Sequence, residues 1–292
     1  MSFSSSDLEA VKCLLCHADD AEPRFTKDGL QVVRCRRCHL LYVNPRLTAK
    51  ALSRLYNNDE ISPHSYYRET RLADQKTFSK RLDLLQQLLG NKKKIRILDI
   101  GCNIGTLLFE AEKRGWECHG IDINAQVKSF FKNSKVELRI GDVIKSSYLK
   151  NSFDLIIMND LIEHIPNPQQ LLLKVNALLK SDGLVFMVTP DGGSFMARIL
   201  GKRWFHLKPR EHLYYFSKTH LRRLFRDTGF MVTSFQHLGR YRSLDTLATK
   251  SASLFGPLSH FVHKVFRFLH LDRLVVPFNL YDEYAIICKK NR

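Results

Sequence analysis

Between Ile95 and Pro190 the chain repeats one pattern, a short and almost wholly apolar run followed by a segment of helical character. This alternation limits the possible folds more than any other feature. The apolar runs are IRILDI, WECHGIDI, VELRIGD, FDLIIMND and GLVFMVTP, and helices are expected up to about Arg114, near 125 to 132, and over about 168 to 180. Strands that are apolar on both faces must be covered on both faces, and helices placed between consecutive strands supply that cover to a parallel sheet. A helix over about Ser217 to Thr228, a strand from Phe230 and a last strand around Tyr281 to Lys289 follow. The expected class is α/β, a doubly wound and mostly parallel seven-stranded sheet.

Composition removes the competing classes. Hydrophobic residues make up 44% and charged residues 26% of 292 positions, and no run approaches the roughly 18 consecutive apolar residues of a membrane span. The start, MSFSSSDLEA, has neither the basic nor the apolar region of a secretory signal, so a cytoplasmic location is expected, with the seven cysteines reduced. The formal charge is +17 and unevenly spread. Residues 1–95 carry 17 basic and 11 acidic groups, 96–195 carry 11 and 12, and 196–292 carry 18 and 6. Basic ends around a neutral centre favour anionic partners, which range from nucleic acid through acidic substrates to a membrane surface, and equally suit a solubilising surface.

Before the alternating region lie two further segments. Residues 1–47 hold two C-x-x-C pairs, Cys13 with Cys16 and Cys35 with Cys38, separated by 18 residues. That spacing lets two knuckles bring four thiolates onto one Zn²⁺, and four thiolates close the coordination shell, so the metal is expected to be structural. His17 and His39 turn each pair into C-x-x-C-H, the pattern of c-type haem attachment, which is the competing reading and ordinarily requires export. Cys102, Cys118 and Cys288 read as core thiols. Residues 48–92 read as a helical linker, with Leu72, Phe78, Leu82, Leu85 and Leu89 at helical spacing and Gly90 as the stop. The remainder, 93–292, forms the main domain, with a basic helical insertion near 240 to 280.

The run from Leu98 to Gly105, LDIGCNIG, ends the first strand and opens a helix, where a tight turn brings a ligand close to backbone amides. It lacks the G-x-G-x-x-G spacing of dinucleotide enzymes, and its acid, Asp99, precedes the glycines, which suits a cationic ligand. Asn103 stands where left-handed backbone is needed, and Asn tolerates it. Asp122 ends the second strand, where a carboxylate can accept from ribose hydroxyls, and Gly141 with Asp142 ends the third. Carboxylates at successive strand ends describe a nucleoside pocket.

On these residues, together with FDLIIMNDLIEHIPNP around the fourth strand, the segment from about 95 to 190 resembles a class I S-adenosylmethionine-dependent methyltransferase. The resemblance implies that Asp99, Gly101, Asn103 and Gly105 shape the methionine side of the cofactor pocket. Asp122 and its neighbour Ile123 would lie against the ribose, Asp142 and Val143 would border the adenine, and Asn159 with Asp160 would close the floor. The whole chain also resembles bacterial methyltransferases that carry an N-terminal zinc ribbon and a later H-x-x-x-FS segment, here Val33 to Arg46 and His212 to Ser217. Those proteins are associated with surface polysaccharide, lipid or secondary-metabolite pathways. Zinc-bearing sugar C-methyltransferases share the ribbon but are longer.

Methyl transfer from a sulfonium is an in-line displacement that depends mainly on positioning, although a hydroxyl or carbon-acid acceptor gains from a general base. Glu163 and His164, after the fourth strand, stand where the acceptor should arrive, and His212 is a further candidate. Tyr214, Tyr215 and Phe216 read as an acceptor-pocket wall or as core. The absence of N-P-P-Y or D-P-P-Y after that strand disfavours methylation of an exocyclic base amine. Along 255–273, Phe255, Leu258, Val262, Val265, Phe266 and Leu269 share one helix face, opposite His260, Lys264 and Arg267. That face reads first as a lid packed on the domain and second as an anchor on an anionic membrane. The expected function is methyl transfer to a hydroxyl, or less readily a carbon, of a small, sugar- or lipid-linked metabolite. The alternatives are an RNA methyltransferase and a non-catalytic zinc and nucleic-acid binding module, which keep nucleic acid open as a partner.

Overall fold

A computed structural model describes residues 3–57, 64–90 and 92–291, without the side chains of 56, 57, 64–68, 250–255 and 257–261. The N-terminal part contains β1 (Leu8–Glu9), β2 (Ala21–Lys27), β3 (Leu30–Cys35), β4 (Leu41–Val43), β5 (Arg46–Leu47), α1 (Ala49–Asn57) and the long α2 (His64–Leu88). The alternating region follows as β6 (Arg96–Ile100), α3 (Thr106–Glu112), β7 (Glu117–Asp122), β8 (Glu137–Ile140), β9 (Phe153–Asn159), α4 (Pro168–Leu178) and β10 (Leu179–Pro190). The last part comprises α5 (Phe195–Leu200), β11 (Tyr214–Tyr215), α6 (Lys218–Asp227), β12 (Phe230–Gln236), β13 (Arg240–Ser243), α7 (Leu244–Phe255), α8 (Pro257–Phe268), β14 (Val275–Phe278) and β15 (Glu283–Lys290). The segment expected as a helix near 125 to 132 is a 3-10 turn over Ala125–Phe130.

Seven strands form one sheet in the order β12-β15-β10-β9-β6-β7-β8. The pairs from β8 to β10 are parallel, and β15 joins antiparallel to both β10 and β12. Strand order reverses between β6 and β9, so the connections leave a crevice at their carboxyl ends, the place where open α/β sheets bind ligands. The apolar runs behave as their composition demands. All residues of β9 except Asn159 are buried, as are four of the five in β6.

Helix α2 departs from the expected register. Leu82, Leu85 and Leu89 are buried, but Leu72 is 67% exposed, and the upstream half turns Thr70, Ala73, Thr77 and Arg81 inward. Those four positions share a face at helical spacing, and part of that face meets β13, where Thr77 accepts the Tyr241 amide at 2.9 Å.

The cysteine module is a sheet in the order β11-β4-β3-β2. Its fourth strand comes from the far end of the chain, since Tyr214 and Tyr215 pair with Tyr42 and Leu41. This settles the role of Tyr214, Tyr215 and Phe216 as core, each at most 4% exposed. Cys102, Cys118 and Cys288 are buried free thiols, as expected. Around residues 240 to 278, β13 and β14 pair as the base of an arm that carries α7 and α8. Val262, Val265 and Phe266 are partly buried, whereas Leu269 is 53% exposed. The side chains of Phe255, Leu258 and His260 lie outside the described residues. No described helix is long and apolar enough to cross a membrane.

Candidate active site

The chain turns back at the end of β6 because Gly101 and Gly105 adopt positive φ, 76° and 78°, and Asn103 joins them at 46°. A Cβ at Gly105 would come within 2.6 Å of Phe131, and one at Gly101 within 3.1 Å of Leu161 in the loop after β9. Gly101 therefore lets the bend and that loop approach each other, and Gly105 leaves room for the Phe131 ring. Gly101 and Cys102 donate their amides to the Ile121 carbonyl, which fastens the bend to β7. Asp122 completes the fastening by accepting from the Asn103 amide at 2.8 Å and the Asn124 amide at 2.9 Å. Ile123 beside it is half exposed, leaving an apolar surface next to the carboxylate. The Gly141 amide donates to the Asp122 carbonyl at 2.8 Å, bringing Asp142 and buried Val143 to the same edge. Asp142 is itself used locally, accepting from the Ile144 amide.

Asp99 is buried, and both its burial and nearby Asp122 hold its carboxyl well above the usual range. Asn159 ends β9 with a buried side-chain oxygen that has no hydrogen-bond partner among the described residues. Every residue expected at the cofactor pocket thus lies along one sheet edge, from the end of β8 to the end of β9.

The next loop brings together the three expected acid-base residues. The Glu163 carbonyl accepts from the Leu213 amide at 2.8 Å, which places His164 and His212 edge to face with ring centroids 4.7 Å apart. Glu163 accepts the Thr189 hydroxyl at Oε2, while Oε1 has no hydrogen-bond partner among the described residues. Burial and neighbouring Asp160 push its carboxyl up to about 8. Burial pushes His164 down to about 4 and His212 well below its ordinary value. His212 donates Nδ1–H to the His206 carbonyl at 2.8 Å, so in the neutral ring Nε2 is the acceptor. The donor atoms of Glu163, His164 and His212 lie within 4.8 Å of one another, near enough to share a proton or to converge on one ion.

Sequence reasoning missed the cationic side of the site. Arg81 is 4% exposed, and none of its three guanidinium nitrogens has a hydrogen-bond partner among the described residues. It lies over the Phe186 ring at 5.9 Å, within the field of Asp160, Glu283, Arg240 and Arg242. Arg240 grips Asp160 through two contacts of 2.7 and 2.8 Å and Glu283 at 2.6 Å, roofing the floor residue Asp160 from the arm. The signal for Arg81 was present as an arginine on the face that continues through Thr70, Ala73 and Thr77. Nothing in the sequence signalled the reach of Arg240, because its partners lie 80 and 43 positions away.

The cysteine module braces the same loop. Arg46 donates to the Pro166 carbonyl and to the Tyr214 hydroxyl, which in turn donates to Pro166. Val43 donates its amide to the Leu213 carbonyl, and His220 at the start of α6 hydrogen-bonds the Cys38 carbonyl. Within the module the four sulfurs converge, Cys13 on Cys38 at 3.3 Å and Cys16 on Cys35 at 3.4 Å. His17 and His39 are exposed and occupy left-handed turn positions, φ 56° and 65°, so they stand apart from the thiol cluster.

A doubly wound sheet with a glycine bend and strand-end carboxylates at its switch point forms a cleft of the kind that holds a nucleoside cofactor. The chain belongs to the methyltransferase domain family, whose model matches residues 67–272. Among curated proteins it is 29% identical over 140 residues to the ubiquinone biosynthesis O-methyltransferase of Bordetella avium, covering 44% of this chain and 58% of that one. It is 26% identical over 140 residues to phosphoethanolamine N-methyltransferase 2 of Caenorhabditis elegans, covering 45% and 32%. The chain therefore spans little more than half, or less, of these relatives. Two solved structures share the fold: a SAM-dependent methyltransferase of Thermotoga maritima, with TM-score 0.53, 16% identity and coverage of 82% and 100%, and one of Archaeoglobus fulgidus, with TM-score 0.51, 22% identity and coverage of 77% and 99%.

Proposed function

We propose that this enzyme methylates a hydroxyl group of a small, sugar- or lipid-linked metabolite. The observation that carries the hydroxyl reading is the His164 and His212 pair, two imidazoles held neutral by burial beside a loop that packs on the glycine bend. A neutral imidazole accepts the proton that a hydroxyl must lose as it attacks, whereas an amine with a free lone pair needs no such base. The hydroxyl chemistry of the Bordetella relative named above supports the same reading.

Bound S-adenosylmethionine supplies the activated methyl group. The residues present fit it. Arg81 offers unsatisfied donors suited to a carboxylate, Asp122 offers lone pairs to ribose hydroxyls, and Ile123 and Val143 offer apolar surface to the adenine. Asp99, Gly101, Asn103 and Gly105 shape the bend beside the methionine, and Asn159 supplies a free oxygen from the floor. His212 takes the acceptor proton at Nε2, His164 orients the acceptor, and Glu163, protonated near neutral pH, keeps negative charge away from the developing alkoxide. Carbon methylation is the lesser alternative, served by the same base.

The four cysteines fit a Zn²⁺ ion. Two sulfur pairs 3.3 and 3.4 Å apart approach the spacing of thiolates around a metal with Zn–S near 2.3 Å. Cys13, Cys16, Cys35 and Cys38 would hold it, and its place is structural, because a full sulfur shell leaves no open position. In chain order we divide the molecule into the ribbon at 1–47, the helical linker at 48–92 and the methyltransferase domain at 93–292.

The test pairs calorimetric cofactor binding with methyl transfer from labelled S-adenosylmethionine to matched panels of alcohols, phenols, amines and RNA. Turnover on hydroxyl acceptors that falls at least tenfold in His212→Ala, with cofactor affinity retained, supports the reading. Turnover confined to amines or RNA rejects it. Metal analysis of the purified chain should give one zinc per molecule.

A further inference from the structure

Two segments rooted at the edge that carries the site leave large apolar side chains in water. Pro190 at the end of β10 pairs with Glu283 at the start of β15, and the Asp191 amide donates to the Asp282 carbonyl at 2.8 Å. Helix α5 therefore leaves the sheet next to the loop that carries Tyr281. The arm is rooted at the same edge through the bonds of Arg240 to Asp160 and Glu283. These two segments hold Phe195 at 73% exposure, Ile199 at 62%, Phe268 at 84%, Leu269 at 53%, Leu274 at 52% and Tyr281 at 66%. Folding gains nothing by leaving six large apolar side chains in water on two segments that spring from one edge, and exposed apolar sets of this kind mark interaction surfaces.

The charge of the same segments selects the partner. Residues 195–210 contain no acidic group, and residues 262–281 contain only Asp272. Exposed cations accompany the apolar set: Arg198, Lys202 and Arg203 beside α5, and Lys264, Arg267 and Arg273 on the arm. A second copy docking through the same patch would face cations with cations, which is costly. A nucleic acid would use the cations and could stack on the aromatic rings, but it would leave the aliphatic tips of Ile199, Leu269 and Leu274 in water. An anionic bilayer uses both, taking apolar tips below the headgroups and cations at the phosphate level.

We propose that this edge docks on an anionic phospholipid bilayer, with α5 and the end of α8 as the contacting elements and the site facing the lipid. The full chain should co-sediment with vesicles of phosphatidylglycerol mixed into phosphatidylcholine, and not with phosphatidylcholine alone. Binding should fall as salt is raised. Each cation near the surface is worth roughly fivefold in partitioning, so Arg198→Glu combined with Arg267→Glu should weaken vesicle binding at least about tenfold. Phe195→Ser combined with Phe268→Ser should weaken it comparably. Because these side chains are exposed, both variants should fold and should bind S-adenosylmethionine in solution as the parent does.

Three results would overturn the proposal: no partitioning onto anionic vesicles, partitioning that neither double variant alters, or a dimer in light scattering that Phe195→Ser with Phe268→Ser dissociates. The last outcome would assign the apolar set to self-association. Loss of cofactor binding in the parent chain would instead count against the methyltransferase reading and leave the vesicle result separately readable.

Discussion

Replacing Arg81 by Met should make the cofactor-free protein more stable and at the same time cripple cofactor binding, two effects of opposite sign from one substitution. The guanidinium is buried, its nitrogens lack hydrogen-bond partners among the described residues, and burial pushes it down to about 10 from the ordinary guanidinium range. That drop corresponds to roughly 3 kcal/mol spent in keeping the charge out of water. Methionine fills a similar volume over the Phe186 ring without that cost, so the free protein should gain about 1 to 4 kcal/mol. For a chain of this size the gain raises the melting temperature by several degrees, at about 2 to 4 °C per kcal/mol. With cofactor the sign reverses. Truncating one partner of a buried, hydrogen-bonded charge pair costs about 2 to 5 kcal/mol, which raises the dissociation constant by roughly thirtyfold to several thousandfold. Differential scanning calorimetry with and without S-adenosylmethionine, together with titration calorimetry, reads both quantities. A variant that melts lower when free, or that keeps parental affinity, would refute the assignment of those nitrogens to the cofactor.

Further outcomes follow from the same geometry. Asp122→Ala removes a carboxylate that holds two loop amides and faces the ribose, so cofactor affinity should fall roughly 10- to 150-fold in titration calorimetry. Arg46→Ala leaves the cofactor pocket intact but frees one support of the Pro166 carbonyl. It should lower kcat roughly 10- to 100-fold with cofactor affinity changed less than about twofold, and equal losses in both would count against bracing of the acceptor loop. Glu163, raised to about 8, binds its proton more tightly when folded than its ordinary value of 4.5 allows. The stability it contributes is complete below pH 4.5 and is lost as pH rises through about 8, at up to roughly 1.4 kcal/mol per pH unit. Urea unfolding across that window should therefore show a decline that Glu163→Gln flattens, and identical slopes would remove the shift.

Local chemistry made much of this molecule legible before any coordinates. Strands such as Phe153 to Asn159 announce a covered parallel sheet because no other arrangement hides both faces of an apolar run. The Gly101 to Gly105 bend and the carboxylates at Asp99, Asp122 and Asp142 carry their meaning in their position at strand ends. The two C-x-x-C pairs likewise declare a convergent thiol cluster, since each knuckle is a local turn.

What escaped that reading depends on partners distant in sequence. Leu72 has the right spacing for the buried face of α2 but points to solvent, because the upstream half of that helix packs on β13 through Thr77 and the downstream half meets the core. Tyr214 and Tyr215 read as pocket wall or as core, and only their pairing with β4 shows that the core is that of the ribbon sheet. Arg81 looks like one more basic residue until folding buries its three nitrogens without a hydrogen-bond partner among the described residues. Sequence periodicity determines which face of an element is apolar, whereas the identity of what lies opposite is decided only when the chain closes on itself. Asp160, held by Arg240, and Glu163, held proton-loaded beside it, owe their states to that closure and not to their neighbours in the chain.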